Sequence, residues 1–380
     1  MLSKNIVKIS AAGAGKTWDI CHDALAATEL GDKKVLITTY TNRGANSIRN
    51  EIRKQNQGVL SPKIYVKTWY EFLMSDFIKP YQSSLNGIAI NEIKTFDFSN
   101  MYGKINYAKP GTKERYLTNS SLVRANEASE LALLLNRLSV GKVLRRVEGI
   151  YSNIYFDEVQ DLSGSDIDLL MMLIKSNISV VCCGDNKQAT YRTHNAKKNK
   201  KITGSNIWLF FQELEKVQLI STQRNLSTRR FNSQICSFAN MVFPVGDSIS
   251  TIMDIETNHD GVYLISQDDV EAYYNCYKPQ VLKYDATTKV DKYQTINFGA
   301  CKGETFDRVL IYPNGPFEKF ILKGEALSSP EKYYVAVTRA RYSVAFVIKK
   351  MPEDLLGYKM VDIQVGQDII KGFQYIVEED

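Results

Sequence analysis

The chain is poor in histidine, tryptophan and proline: 3, 3 and 9 residues among 380. Its six cysteines (Cys21, Cys182, Cys183, Cys236, Cys276, Cys301) never fall in C-x-x-C spacing. That pattern argues against a disulfide framework and against a structural zinc site. Apolar runs such as Tyr342–Ile348 fall far short of the ~18 residues of a membrane span. No apolar signal segment opens the chain, so the expectation is a reduced, cytoplasmic protein without membrane contact. Charge of neither sign dominates. Lys and Arg number 48 against 42 Asp and Glu, a net +6. A mild positive balance suits a polyanionic partner without requiring one.

What is present is ordinary for a globular protein: 44% hydrophobic and 24% charged residues. At ~100–200 residues per domain the length allows two domains, or three small ones. Short β-branched runs alternate with helical segments. Ile6–Ser10, Lys34–Thr38, Ile64–Lys67, Ile154–Phe156 and Ser179–Cys183 read as strands, and 18–30 and 44–54 as helices. Nearly all-apolar strands suit a parallel sheet buried on both faces. Between about 74 and 148 the pattern changes, with turn signals at Asn86-Gly87 and Lys109-Pro110-Gly111 and a helix near 127–138. This stretch reads as an insertion. A second α/β unit is expected from about Lys216, with strands at Gly261–Ile265, Val309–Tyr312 and Val344–Ile348.

Ser10-Ala11-Ala12-Gly13-Ala14-Gly15-Lys16-Thr17 lies between a strand and a helix, the context a phosphate-binding loop needs. Small residues (Ala12, Gly13, Ala14, Gly15) let backbone N–H groups approach phosphate oxygens, and the helix N-terminus adds positive charge. Lys16 would reach the β- and γ-phosphates of ATP, and the Thr17 hydroxyl would ligate Mg²⁺. Ser10 stands where the first glycine of that motif is usual. The plain alternative is a small-residue turn with an incidental Lys-Thr.

Asp157-Glu158 follows an apolar strand, within Tyr155-Phe156-Asp157-Glu158-Val159-Gln160-Asp161. A carboxylate at a strand end can hold a metal, and its neighbour can deprotonate an attacking water. Those roles go to Asp157 and Glu158. Gln188, in Gly184-Asp185-Asn186-Lys187-Gln188 after the next strand, is placed to sense the γ-phosphate. Cys182 and Cys183 read as core.

Taken together, these residues resemble a superfamily 1 helicase of the UvrD/Rep type. Thr38–Ala45 is similar to that family's T-F-T-N-K-A-A segment, and Thr68-Trp69 to its next DNA-contacting motif. Asp157–Asp161 fits D-E-x-Q-D, and Gly184–Arg192 fits G-D-x-x-Q-x-I-Y-x with Thr190 in place of the usual aliphatic residue. Ile235–Asn240 resembles the motif IV helix, Lys302–Phe306 resembles K-G-L-E-F, and Tyr334–Arg341 is close to Y-V-A-L-T-R-A-[KR].

The resemblance implies an α/β fold of two RecA-like P-loop NTPase lobes with parallel sheets and a small insertion in the first lobe. The first lobe would be 1–73 and 149–215, the insertion 74–148, and the second lobe 216–380. It implies an ATP hydrolase using Mg²⁺ and acting on single-stranded or partly duplex DNA with 3′ to 5′ polarity, RNA staying open. Arg339 would act as an arginine finger. Arg230, ahead of Arg224, would be the motif IV arginine, and Gly303 and Glu304 would complete the nucleotide site. Thr41, Asn42 and Thr68 are the candidate phosphate contacts for the strand. Tyr40, Trp69 and Tyr191 are the candidate stacking rings, with a core role as the alternative for Tyr40 and Trp69.

Three departures stand out. No glutamine motif precedes the small-residue loop, Thr193 stands where a stacking tryptophan is usual, and Gly299 replaces the motif V histidine. The stretch from Asn240 to Lys302 leaves no room for the family's large second-lobe insertion. That compactness motivates the alternative of a DNA-stimulated ATPase switch working with a partner nuclease, in phage defence or repair.

Overall fold

The computed structural model describes residues 3–101, 106–190, 198–290 and 292–377. The chain forms two compact units, Met1–Ser10 with Lys16–Arg224, and Ala11–Gly15 with Asn225–Asp380.

The first unit is built on six strands: β1 (Ile6–Ser10), β2 (Lys34–Thr39), β3 (Ile64–Thr68), β4 (Tyr151–Phe156), β5 (Ser179–Gly184) and β6 (Ser221–Asn225). Their order across the sheet is β3-β2-β4-β5-β1-β6. The pairs β1–β5, β2–β3, β2–β4 and β4–β5 are parallel. Successive side chains point to opposite faces, and both faces are covered. Val7, Ile9, Leu36, Ile154, Phe156, Val180 and Cys182 enter one core, and Val35, Ile37, Tyr155, Val181 and Cys183 the other. This two-sided burial explains why the strands read as apolar runs.

Helices α1 (Lys16–Ala27) and α2 (Asn42–Gln55) close the second face through Ile20, Cys21, Ala24, Ala45, Ile48 and Ile52. Each fully buried large aliphatic chain contributes roughly 1.5–3 kcal/mol. On the first face lie α3 (Ala128–Leu138), α4 (Lys142–Ile150), α5 (Ser165–Ile174) and α6 (Ile207–Lys216).

The segment between β3 and β4 departs from the α/β alternation. A short helix (Trp69–Phe72) continues through tight helical turns to Ser84, and Phe96–Asp97 then pairs with Val123–Arg124. Buried Asp76 ties this segment to the sheet. It pairs with Lys67 on β3 at 2.5 Å and Arg146 on α4 at 3.7 Å, and accepts a hydrogen bond from the Tyr151 hydroxyl at 3.3 Å.

The second unit repeats the plan. Its strands are β7 (Gly261–Ser266), β8 (Gln280–Lys283), β9 (Thr295–Asn297), β10 (Phe306–Tyr312), β11 (Ala340–Ile348), β12 (Tyr358–Val365) and β13 (Asp368–Tyr375). They are ordered β9-β8-β10-β11-β7-β13-β12. Counted along the chain, the first five strands of each unit lie in the same order, third-second-fourth-fifth-first. All neighbours within each set of five are parallel. Both units are thus α/β layers built on a mainly parallel sheet. Around the second sheet sit α7 (Ser233–Val242), α8 (Val270–Tyr277), α9 (Gly315–Lys323) and α10 (Glu331–Val337).

Two expectations change. The second unit was expected from Lys216, yet 216–224 stays with the first, because β6 lies beside β1 and Ser221 N donates to Asn5 O at 2.9 Å. The stretch after Lys350, which carried no expected element, holds the hairpin β12–β13. Its β13 is antiparallel to β7, so a parallel sheet gains an antiparallel edge. No helix among the described residues is long and apolar enough to cross a membrane.

His259, just before β7, is buried between the rings of Tyr263 (4.2 Å) and Tyr277 (3.9 Å) and shares a 2.7 Å hydrogen bond with the Tyr273 hydroxyl. Burial, and secondarily the Arg308 charge, lower its pKa to about 3. The unfolded imidazole titrates near ~6.5. Between those values only the unfolded chain takes up the proton, so stability is full above about 6.5 and falls as pH drops toward 3. Thermal unfolding from pH 7 to 4 should show a loss in the wild type that His259→Gln lacks. Parallel curves would remove His259 as the cause.

Candidate nucleotide and nucleic-acid site

The strand order brings three turns to one edge of the first sheet. β5 lies between β1 and β4, so the loop after β1, the acidic pair after β4 and the Gly-Asp turn after β5 open side by side at the carboxyl ends of the strands. In open α/β sheets this edge is where ligands bind.

In the small-residue loop, Gly13 and Gly15 have φ of +76° and +95°, a conformation that L side chains adopt only with strain. Residues 225–230 pack against this loop. Arg229 N donates to Gly13 O, and Asn225 Nδ2 to Ala14 O. A Cβ on Gly13 would stand 2.5 Å from Arg230 Cβ and 2.6 Å from Thr228 Oγ1. Ala11, Ala12 and Ala14 share a core with Phe231 and Ile235, which is why the loop groups with the second unit.

Lys16 opens α1. Its Nζ lies 3.4 Å from Ser10 O and 4.0 Å from Asp185 Oδ2. Thr17 follows in the first turn of the helix. Asp157 N donates to Thr38 O at 2.8 Å, and Thr39 Oγ1 donates to Asp157 Oδ2 at 3.4 Å. Glu158 sits in the left-handed region (φ +57°), a strained state for a non-glycine residue and frequent at functional turns. Gln160 Nε2 donates to the Glu158 carboxylate. Asp185 is buried. Its Oδ1 accepts from Lys187 N at 2.9 Å and its Oδ2 from Gln188 Nε2 at 2.8 Å.

Lys16, Asp157, Glu158 and Gln188 therefore all stand on turns at this edge. A lysine, a helix N-terminus and a strand-end carboxylate on one edge are groups that could hold a nucleoside triphosphate with Mg²⁺. Among the described residues no group of three His, Cys, Asp or Glu side chains forms a metal cluster. A cation held by one carboxylate and a hydroxyl needs none, because phosphate oxygens and water complete its shell.

In the second unit, Arg339 is 1% exposed. Its Nε donates to Val335 O at 3.0 Å, Nη1 to Glu304 O at 3.2 Å and Nη2 to Thr338 Oγ1 at 3.3 Å. Arg230 Nη1 donates to Thr338 O at 3.0 Å. The fold thus gathers Arg230, Arg339 and Glu304 around Thr338, with Gly303 at φ +87° beside them. Arg224 is elsewhere, exposed near the end of β6 in the first unit. Packing against Gly13 and the shared contact with Thr338 distinguish Arg230 from Arg224.

The expected nucleic-acid set divides. Thr41 and Asn42 are exposed, and Thr41 caps α2 by accepting from Gly44 N at 3.0 Å. Thr68 is buried in a capping box with Glu71. Tyr40 is half-buried, its hydroxyl donating to that of Tyr70 at 2.9 Å. Trp69 is 2% exposed. It packs on Phe72 and Phe156, and its Nε1 donates to Asp166 Oδ1 at 3.1 Å. A ring so enclosed has no open face, which corrects its assignment as a stacking platform. Tyr191 lies outside the described residues.

Residues 91–202 match the profile of the UvrD/REP helicase N-terminal domain. No curated protein matches. Among solved structures it is similar to an arterivirus nonstructural protein 10 helicase (14% identity, TM-score 0.45, 90% of this chain and 59% of that one). It is likewise similar to a complex of an arterivirus nonstructural protein 10 helicase with DNA (15%, 0.48, 92% and 61%) and to the PRRSV helicase (15%, 0.43, 97% and 59%). With TM-scores below 0.5 these likenesses add nothing to the profile match, and the chain spans about three-fifths of the solved chains' length.

Within the matched stretch two supporting residues escape a residue-by-residue reading. Asp185 holds Gln188 and faces Lys16, and Gln160 holds Glu158. Both stand inside the D-E-x-Q-D and G-D boxes, but their side-chain partners depend on the two turns meeting. Gly184 marks the meeting. A Cβ there would overlap Gln160 Oε1 and crowd Val159 Cγ1 at 3.2 Å. Gly184→Ala should cost about 1–3 kcal/mol as an overpacking substitution. Its loss should be less than additive with that of Gln160→Ala in a thermal double-mutant cycle. Strict additivity would show that the two turns do not touch.

Proposed function

We propose that the chain hydrolyses ATP when bound to single-stranded nucleic acid and couples each turnover to movement along the strand. The observation that carries this reading is the convergence of Lys16, Asp157, Glu158 and Gln188 on adjacent turns of one parallel sheet, the last three inside the stretch that matches the UvrD/REP helicase profile.

Lys16 rests against Ser10 O and Asp185 and turns to the β- and γ-phosphate oxygens when the nucleotide enters. Thr17 and Asp157 would hold Mg²⁺. Bound there, the ion supplies positive charge against the phosphate oxygens. Glu158 takes the proton of the attacking water, its carboxylate oriented by Gln160 and by the strained turn. Gln188, held by Asp185, reports the state of the γ-phosphate to the nucleic-acid side of the unit. Arg339 and Arg230 are assigned to the charge developing on that phosphate, with Gly303 and Glu304 beside them.

Polarity from 3′ to 5′ and preference for DNA follow from the family resemblance. The compact stretch between α7 and β10 favours a second form of the reading, in which hydrolysis switches a partner nuclease and little duplex is unwound.

Hydrolysis measured with and without an oligothymidylate tests the reading. Stimulation by the strand is expected, and Lys16→Ala and Glu158→Gln should each abolish turnover, with the Glu158 variant still binding ATP. Hydrolysis indifferent to DNA and RNA alike would overturn it. Stimulation without strand displacement would favour the switch.

A further inference from the structure

Phe98 belongs to none of the motifs above. It is 48% exposed, a large apolar ring left in water at the end of a short ladder. Its mounting is fixed. Phe96–Asp97 pairs with Val123–Arg124, and Ser99 N donates to Asp97 Oδ1 at 3.0 Å. Phe98 stands perpendicular to Tyr70 (centroids 4.9 Å apart, 89°), and Phe96 stands against the same Tyr70 ring (5.1 Å, 63°). Tyr70 is buried and carries Tyr40 on its other contacts, at 5.6 Å between rings with the hydroxyls hydrogen-bonded. A row of aromatic rings thus runs from the exposed Phe98 to Tyr40, the residue after β2.

We propose that Phe98, backed by Tyr70, is a base-stacking platform for single-stranded nucleic acid, supplied by the segment between β3 and β4 rather than by one of the motifs above. The proposal rests on the nucleic-acid-stimulated reading above. Tyr40 precedes Thr41, Asn42 and Arg43, all exposed at the start of α2. The positive end of that helix, its cap and an arginine suit phosphates. The neighbours of Phe98 in the chain are polar: Asp97, Ser99 and Asn100, with Lys94 exposed nearby in sequence. A half-exposed ring with polar chain neighbours suits a base flanked by phosphates better than an apolar protein face. Stacking on an aromatic ring tolerates every base, as a moving site requires. With Trp69 enclosed, Phe98 provides the open ring that the Thr68-Trp69 segment lacks.

The test uses the full chain with a fluorescently labelled oligothymidylate. Phe98→Ala and Phe98→Leu should weaken binding roughly 5- to 150-fold, the range of one lost base stack. Leucine keeps apolar volume, and a retained melting temperature certifies the fold. Phe98→Trp should keep affinity, and its indole emission, taken as the difference from wild type, should be quenched by the oligonucleotide. Wild-type affinity in a folded Phe98→Leu variant, or an unquenched indole in a strand-binding Phe98→Trp variant, would overturn the platform alone. A wild type that binds no strand would overturn the nucleic-acid reading and the platform with it.

Discussion

The hydrogen-bonded triplet β1–β5–β4 is the constraint on which the rest of the first unit depends. Parallel strands need crossovers, and crossovers separate sequence neighbours in space. Placing β5 between β1 and β4 reverses that separation at one edge. Three turns from distant parts of the chain come together there: the loop after Ser10, the pair at Asp157-Glu158 and the turn at Gly184-Asp185. The strands hold this order because both of their faces are buried, Val180 and Cys182 in one core and Val181 and Cys183 in the other. A one-residue slip would exchange the two sets and misfit both.

From that edge the site follows by close contact. Gly184 has no Cβ because Gln160 occupies the space, and Gln160 is there to hold Glu158. Asp185 accepts from Lys187 N and Gln188 Nε2 while facing Lys16. A buried carboxylate with several donors is stable where an unpaired one would not be. The polar groups of the candidate site thus satisfy one another. The second unit uses the same device, with Arg230 and Arg339 both meeting Thr338.

Legibility in the sequence tracked the range of the interaction. Strands buried on both faces announce themselves as apolar runs, so β1, β2, β3, β4 and β5 were readable, as was the loop between β1 and α1. The β12–β13 hairpin was not singled out, although Tyr358–Val365 alternates and Gly366-Gln367 is a two-residue turn with Gly366 at φ +70°. Its role as the antiparallel edge of a parallel sheet is a matter of which strand it meets. Trp69 shows the opposite limit. An aromatic beside a motif threonine reads equally as platform or core, and only Phe156 and Asp166, far along the chain, decide for core.

By itself the sequence determined the kind of layers, the small-residue loop between β1 and α1, the acidic pair and the order of motifs, because these rest on local backbone geometry and on periodic burial. Tertiary structure alone decided which arginine lies at the small-residue loop, which residues hold Glu158 and Gln188, where the first unit ends and which aromatic rings face water. Those properties depend on contacts between residues tens to hundreds of positions apart. No local propensity encodes such contacts until the sheet order is set.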